Sequence, residues 1–186
     1  MLTGDHPQSY IQPHLTLFGI PRRRLATSQI QSQMGIVTPE IFDAFPRRSG
    51  SNAALTAREA IATGFESTFS YRPRTSAQDQ EIDRLLSYFA PVLSLSDGVA
   101  FDDNQPFGAL PIGQQALILL LRAFAGSPKL IVLDEVFSGM NEQMVTLLTR
   151  YLREELTPQQ AVIFVSHWED EVPWRGAELQ RLRLGN

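Results

Sequence analysis

Leu110-Pro111-Ile112-Gly113-Gln114-Gln115 opens, and Ser138-Gly139-Met140-Asn141 closes, the stretch around which the rest of the chain is arranged. Between them lie a helical run from Ala116 to Ala125, a turn at Gly126-Ser127-Pro128-Lys129, and then Leu130-Ile131-Val132-Leu133-Asp134-Glu135. Four consecutive aliphatics followed by two carboxylates read as a fully buried strand that delivers acids at its carboxyl end. In open α/β sheets ligands bind at that end. An unpaired carboxylate in an apolar setting costs several kcal/mol or loses its charge, so two adjacent ones call for a reason. A strand that simply runs into a solvated acidic turn is the alternative that the pair alone leaves open.

Downstream, Glu142 to Glu155 is predicted as a helix with Met144, Leu147, Leu148 and Tyr151 on its apolar side. Ala161-Val162-Ile163-Phe164-Val165 is a second wholly apolar strand, closing on Ser166-His167. Two buried strands joined by one helix make a right-handed βαβ unit. Parallel neighbours would set His167 beside Asp134 and Glu135 on one edge of the sheet. The tail offers one further short strand, Leu179 to Leu184.

Upstream, His14 to Gly19 alternates like a short strand, and Ile30 to Val37 reads as another that ends at Thr38-Pro39-Glu40. Arg22-Arg23-Arg24 reads as a solvated face, and Pro46 to Asn52 as a loop. Thr56 and Glu59 form a capping box for a helix whose apolar face Phe65 and Phe69 extend. Ala77 to Ala90 is amphipathic, with Ile82, Leu85, Leu86 and Phe89 at helical spacing. Asp97 to Gly108 is polar and turn-rich.

The 186 residues suffice for one domain with a sizeable core, and 43% hydrophobic with 19% charged residues suits a soluble globular chain. A net charge of -4 gives no electrostatic reason for a nucleic-acid partner. There is no cysteine, which excludes disulfides and thiolate metal sites. No run approaches the roughly 18 apolar residues of a membrane-spanning helix, and the opening residues fit neither a secretory signal nor an Arg-rich presequence. A cytoplasmic location is the expectation.

An acid pair and a histidine on one sheet edge suit nucleoside-triphosphate hydrolysis. Asp134 would hold Mg²⁺, a hard cation that keeps its waters and takes one or two carboxylates. Glu135 would orient or deprotonate a water. His167 would donate to a phosphate oxygen as charge develops on it.

These residues resemble the ATP-binding cassette (ABC) ATPases. Leu130 to Glu135 looks like the Walker B strand, with Asp134 in the Mg²⁺ role and Glu135 as catalytic base. Ser138-Gly139-Met140-Asn141 is similar to the D-loop, and Ser166-His167 matches the switch histidine. Leu110-Pro111-Ile112-Gly113-Gln114 falls where the Leu-Ser-Gly-Gly-Gln signature should be, and Gly35 to Pro39 where the Q-loop strand ends. The resemblance covers nearly the whole chain.

It implies an α/β fold of the P-loop NTPase kind, a mostly parallel sheet incomplete at its N-terminal edge. The chain would form a single ABC ATPase-like domain over 1–186, with an α-helical subdomain over 53–109. It also implies ATP and Mg²⁺ as cofactors, and a location peripheral to a membrane when a membrane-domain partner is present. Gly113, Gln114, Ser138 and Asn141 would contact nucleotide, partly across an interface with a second ABC domain.

Departures bear on that carry-over. Pro111 stands where the signature serine belongs and Ile112 where its first glycine belongs, so neither hydroxyl nor N–H is supplied at 111. The contact would then rest on Gly113, Gln114 and the following helix N-terminus. Pro39 replaces the Q-loop glutamine, leaving Glu40 as a stand-in, and Asn141 replaces the D-loop aspartate.

The phosphate loop G-x-x-x-x-G-K-[ST] is absent, and the one lysine, Lys129, precedes the acid-bearing strand at its far end. Met1 to Asp5 looks like the segment just beyond that loop's helix, so the expectation is a chain that binds ATP weakly and does not turn it over by itself. A different class of function is a non-catalytic relic serving interaction or regulation. A serine hydrolase built on Ser138 or Ser166 lacks a G-x-S-x-G elbow. A DNA-repair ATPase lacks room for a coiled-coil insertion between Phe42 and Leu110.

Overall fold

The computed structural model describes residues 14–47, 55–94, 101–176 and 179–181. The expectations placed on Met1 to Asp5, on most of the Pro46 to Asn52 loop and on the end of the Leu179 to Leu184 strand lie outside these residues. Residues 179–181 are not in a strand.

A hairpin comes first, β1 (Thr16–Leu17) antiparallel to β2 (Ile20–Pro21), turning through Phe18 and Gly19 at positive φ. It is shorter than the expected strand, and Pro21 pairs with Thr16 in it. Helix α1 (Thr27–Gln31) comes next. The second expected strand is therefore only partly right. Ile30 is fully buried on α1, where Gln29 Oε1 accepts the Ala26 N–H at 3.0 Å and closes the helix start. The strand itself, β3, is Met34–Val37. Arg22 also corrects an expectation: it is buried, and its guanidinium donates to Leu25 O at 2.8 Å.

Helix α2 (Pro39–Ala44) starts at once after β3, with the Thr38 hydroxyl accepting the Ile41 N–H. Helix α3 (Ala57–Ala62) carries the capping box expected at Thr56 and Glu59. Helix α4 (Ser76–Leu93) has its own box at Thr75 and Gln78 and buries Ile82, Leu85, Phe89 and Leu93. It runs a turn past the expected end, with Pro91 inside it.

Helix α5 (Ile112–Phe124) is buried all round from Gln114 onward, the mark of a central helix. Then come β4 (Leu130–Asp134), α6 (Glu142–Glu154) and β5 (Ala161–Val165).

The main sheet is wholly parallel, in the order β3-β4-β5. Val37 pairs with Leu133, Leu133 with Phe164, and Asp134 with Val165. The three carboxyl ends therefore lie side by side. On one face of β4, Ile131 and Leu133 enter the core that α3, α4, α5 and α6 share. On the other, Leu130 and Val132 pack on a smaller cluster with Leu17, Leu25, Ile30 and Met34. Covering both faces is what a parallel sheet needs. β5 is the exception, since it lies at the end of the sheet and Val165 is exposed.

Helix α5 touches β3 directly. A Cβ built on Gly35 would lie 1.8 Å from Ala123 O, so only glycine lets helix and strand approach this closely. α5 also carries a buried cation. Arg122 donates to Thr63 Oγ1 at 2.9 Å and Thr68 O at 3.0 Å, and lies over the Phe45 and Phe69 rings. Burial pushes its pKa down to about 10, which still leaves it charged at neutral pH.

Candidate functional site

Parallel pairing delivers three segments to one edge: Thr38-Pro39-Glu40 after β3, Asp134-Glu135 on β4, and Ser166-His167 after β5. Asp134 is the last residue of β4. The Glu135 N–H still bonds Val165 O at 3.0 Å, so the ladder continues one residue further. There the backbone turns sharply, with Glu135 at φ 48°. A non-glycine in that region costs of order 1–3 kcal/mol and is found where the surroundings enforce it.

The turn redirects the Glu135 side chain. Its Oε1 lies 2.7 Å from His167 Nε2. Both partners face solvent, His167 at 84% and Glu135 at 41% side-chain exposure. The pair therefore adds little to stability and is free to exchange partners. His167 Nε2 faces the Glu135 carboxylate and not the Ser166 hydroxyl. Ser166 in turn donates to the Glu171 carboxylate and accepts the Trp168 N–H. This arrangement does not support the serine-hydrolase alternative.

Asp134 has a pKa above its ordinary value. Burial is the main cause, then repulsion from Glu135 and from Glu40, with His167 opposing. Glu40, the stand-in for the Q-loop glutamine in the resemblance, is thus electrostatically part of this edge. Its own pKa is lowered, chiefly by the hydrogen bond from Thr38. Among the described residues, no group of three or more His, Asp or Glu side chains is arranged to hold a metal ion unaided. An acid that resists ionising beside two others is nevertheless where a divalent cation relieves repulsion, and Mg²⁺ needs only one or two carboxylates.

The loop after Glu135 is tight: Ser138 N–H bonds Glu135 O at 3.2 Å and Met140 N–H bonds Phe137 O at 3.1 Å. Ser138 is exposed. The Asn141 Oδ1 accepts the Met144 N–H at 2.9 Å and caps α6, so this oxygen is committed to the helix start. Gly113 abuts Gly139, with a Cβ on Gly113 lying 2.8 Å from Gly139 O.

Gln114 departs from its expected role. It is only 5% exposed and donates to Leu93 O at 2.8 Å, satisfying a carbonyl at the end of α4. A nucleotide would meet it through its backbone N–H alone. Gln115 likewise turns inward, donating to Leu110 O at 2.7 Å and accepting from Arg47 at 2.8 Å. Ile112, at the exposed tip of α5, is 66% accessible.

Lys129 stands at the opposite end of β4, with its ammonium over the Phe18 ring. The structure thus brings Asp134, Glu135 and His167 together. It sets Gly113 against the loop that carries Ser138 and Asn141.

No family model matches the chain. Individual relatives do. An uncharacterized ABC transporter ATP-binding protein of Schizosaccharomyces pombe is 31% identical over 175 residues, covering 92% of this chain and 33% of the relative. A second, of Saccharomyces cerevisiae, is 28% identical over 93% of this chain and 31% of its own length. The ABC transporter ATP-binding protein ModF of Escherichia coli is 29% identical over 93% of this chain and 33% of its own length.

The chain spans about a third of the length of these curated relatives. Among solved structures, the dimeric MJ0796, a bacterial ABC transporter cassette, superposes with a TM-score of 0.52 at 20% identity, covering 78% of this chain and 56% of that one. Its post-hydrolysis state bound to ADP and Pi gives 0.54 at 20% identity, covering 83% and 62%. The fold is that of an ABC cassette.

Proposed function

We propose that this chain, an ABC-type ATP-binding module related to ABC transporter ATP-binding proteins over about nine-tenths of its length, supplies the carboxylate half of an ATP-hydrolysis site. The observation that carries this reading is the shared edge, where Glu135 Oε1 lies 2.7 Å from His167 Nε2 and Asp134 adjoins on the same strand.

In this reading Asp134 would hold Mg²⁺, with Glu40 as a second anionic contact, and the ion would supply positive charge to the phosphates of ATP. Glu135 accepts the proton of the attacking water. His167 holds the Glu135 carboxylate until a γ-phosphate oxygen competes for its N–H, then donates to that oxygen. Of these groups, Glu135 and His167 already stand within hydrogen-bond reach of each other.

Two features set what must complete the site. The sequence contains no glycine-rich loop with a Lys-Ser/Thr, so the phosphates need backbone donors from elsewhere. β5 is the end strand of the described sheet, so a further parallel strand added at its outer edge would bring its carboxyl-end loop next to His167. At the other surface, Ile112, Gly113 and Gln114 precede the first intrahelical bond of α5, from Gln115 N–H to Pro111 O. Their N–H groups suit a phosphate held by a second ABC domain. Coupling to transport, a membrane-domain partner, and a cytoplasmic location at a membrane surface belong to the same reading. No helix in the described residues is long and apolar enough to cross a membrane.

Calorimetric titration and phosphate release test the reading. The chain alone is expected to bind Mg·ATP at millimolar Kd or weaker, without turnover. A longer protein that adds a strand and a glycine-rich loop is expected to hydrolyse ATP, and E135Q to slow it by about 10²–10⁴-fold. Micromolar binding by the chain alone overturns the need for an added loop. A completed protein that binds ATP but is indifferent to E135Q leaves the non-catalytic module.

A further inference from the structure

We infer that Gly113 and Gly139 form a latch that ties the N-terminus of α5 to the Glu135–His167 pair of the same chain, so that both glycines are positioning residues. The inference rests on reading Glu135 as the base, but the mechanical coupling stands on geometry alone. A Cβ on Gly113 would lie 2.8 Å from Gly139 O, and one on Gly139 would lie 3.3 Å from Ile112 Cγ2. Gly139 is also at φ +77°, which side-chain-bearing residues rarely adopt. Gly113 thus meets the Gly139 backbone and Gly139 meets the Ile112 methyl, so that a shift of one segment presses on the other.

Neither end of the latch can yield inward. Behind Gly113, Gln114 is tied to Leu93 O and Gln115 to Leu110 O and Arg47. Behind Gly139, the loop is braced by buried Val136, by Phe137 against the Phe164 ring at 5.6 Å, and by Asn141 capping α6. The strained residue is at the loop's start. Glu135 at φ 48° is bonded to β5 through its N–H and to Ser138 through its carbonyl. A displacement of α5's tip therefore reaches Gly139, and through two short hydrogen-bonded turns the backbone of Glu135. An anion settling on the tip of α5 would shift the carboxylate that His167 holds.

Nuclear magnetic resonance on the ligand-free full chain tests this. G113A is compared with A116G, a buried position on α5 that lowers helix stability by removing a Cβ where G113A adds one. The latch predicts shifts of the Glu135 amide and of the His167 ring N–H in G113A that exceed any in A116G. If G113A does not fold, I112A decides, because it removes the Cγ2 contact without crowding. It is expected to speed hydrogen exchange at the Ser138 and Met140 amides. A folded G113A that leaves Glu135 and His167 as A116G does, or an I112A without faster exchange, overturns the latch. Both readouts are free of nucleotide. Their failure leaves the ATP reading untouched, and failure of ATP binding in a completed protein leaves the latch standing.

Discussion

Asp134 and Glu135 are neighbours in sequence, yet their environments separate them. Asp134 ends the strand, partly desolvated beside two other acids, while Glu135 swings out through a left-handed turn to meet His167. The sign of the Asp134 shift has a consequence. Its folded pKa lies above the ordinary 3.8, so its favourable contribution is complete below that value and is lost as pH rises through the folded one. At pH 7 the charged carboxylate weighs against the metal-free fold. D134N is therefore expected to raise Tm slightly at pH 7, by less than about 2 °C, with the gain shrinking as pH falls toward about 4. Thermal scans across that range without Mg²⁺ check it, and a lower Tm at pH 7 would contradict the argument. E135Q loses only a solvent-exposed pair, so stability should stay within about 1 kcal/mol. In a hydrolysis-competent protein the same change should cost about 10²–10⁴ in rate if Glu135 is the base.

At the level of elements, α5 organises the molecule, and two of its contacts set its tolerance. G35A would drive a Cβ into the Ala123 carbonyl, and neither backbone can retreat without parting helix from sheet. It should cost at least about 3 kcal/mol, read as loss of soluble folded protein or a large fall in urea midpoint. Arg122 has hydrogen bonds and aromatic faces but, among the described residues, no carboxylate within salt-bridge distance. R122M keeps the volume and leaves the Thr68 carbonyl short of a donor, so about 1–3 kcal/mol of destabilisation is expected from denaturant unfolding. The sequence pattern could place α5 as buried, since its aliphatic run has no polar face. It could not reveal that Arg122 lies within that buried run, because a lone arginine ordinarily marks the wet side of a helix.

Across the whole molecule, helices α3 and α4 share one apolar core with α5, α6 and the sheet. The helices within residues 55–94 thus gain their burial from contacts with the rest of the chain. Unfolding is expected as one transition, with far-UV dichroism and tryptophan fluorescence coinciding. Two separated midpoints would show an independently stable helical unit. The arrangement also explains which expectations were legible. β4, β5, α6 and the α3 capping box arise from short-range pattern, and each appears where the periodicity put it. The strand over Ile30 to Val37 failed at its first half because four apolar positions in eight residues fit either period, and the Ala26–Gln29 helix start decided for α1.

Residue order alone dictates the buried strand with its two terminal acids, the second strand ending on His167, and the likeness to ABC ATPases that those residues carry in order. It does so because strand burial and acid placement are local properties, written in runs of five or six residues. Two features needed the folded chain: the strained turn that brings Glu135 to His167, and Gln114 pointing inward to Leu93. These depend on which strands are neighbours and on backbone angles at single residues, and neither is encoded in the local pattern of side chains.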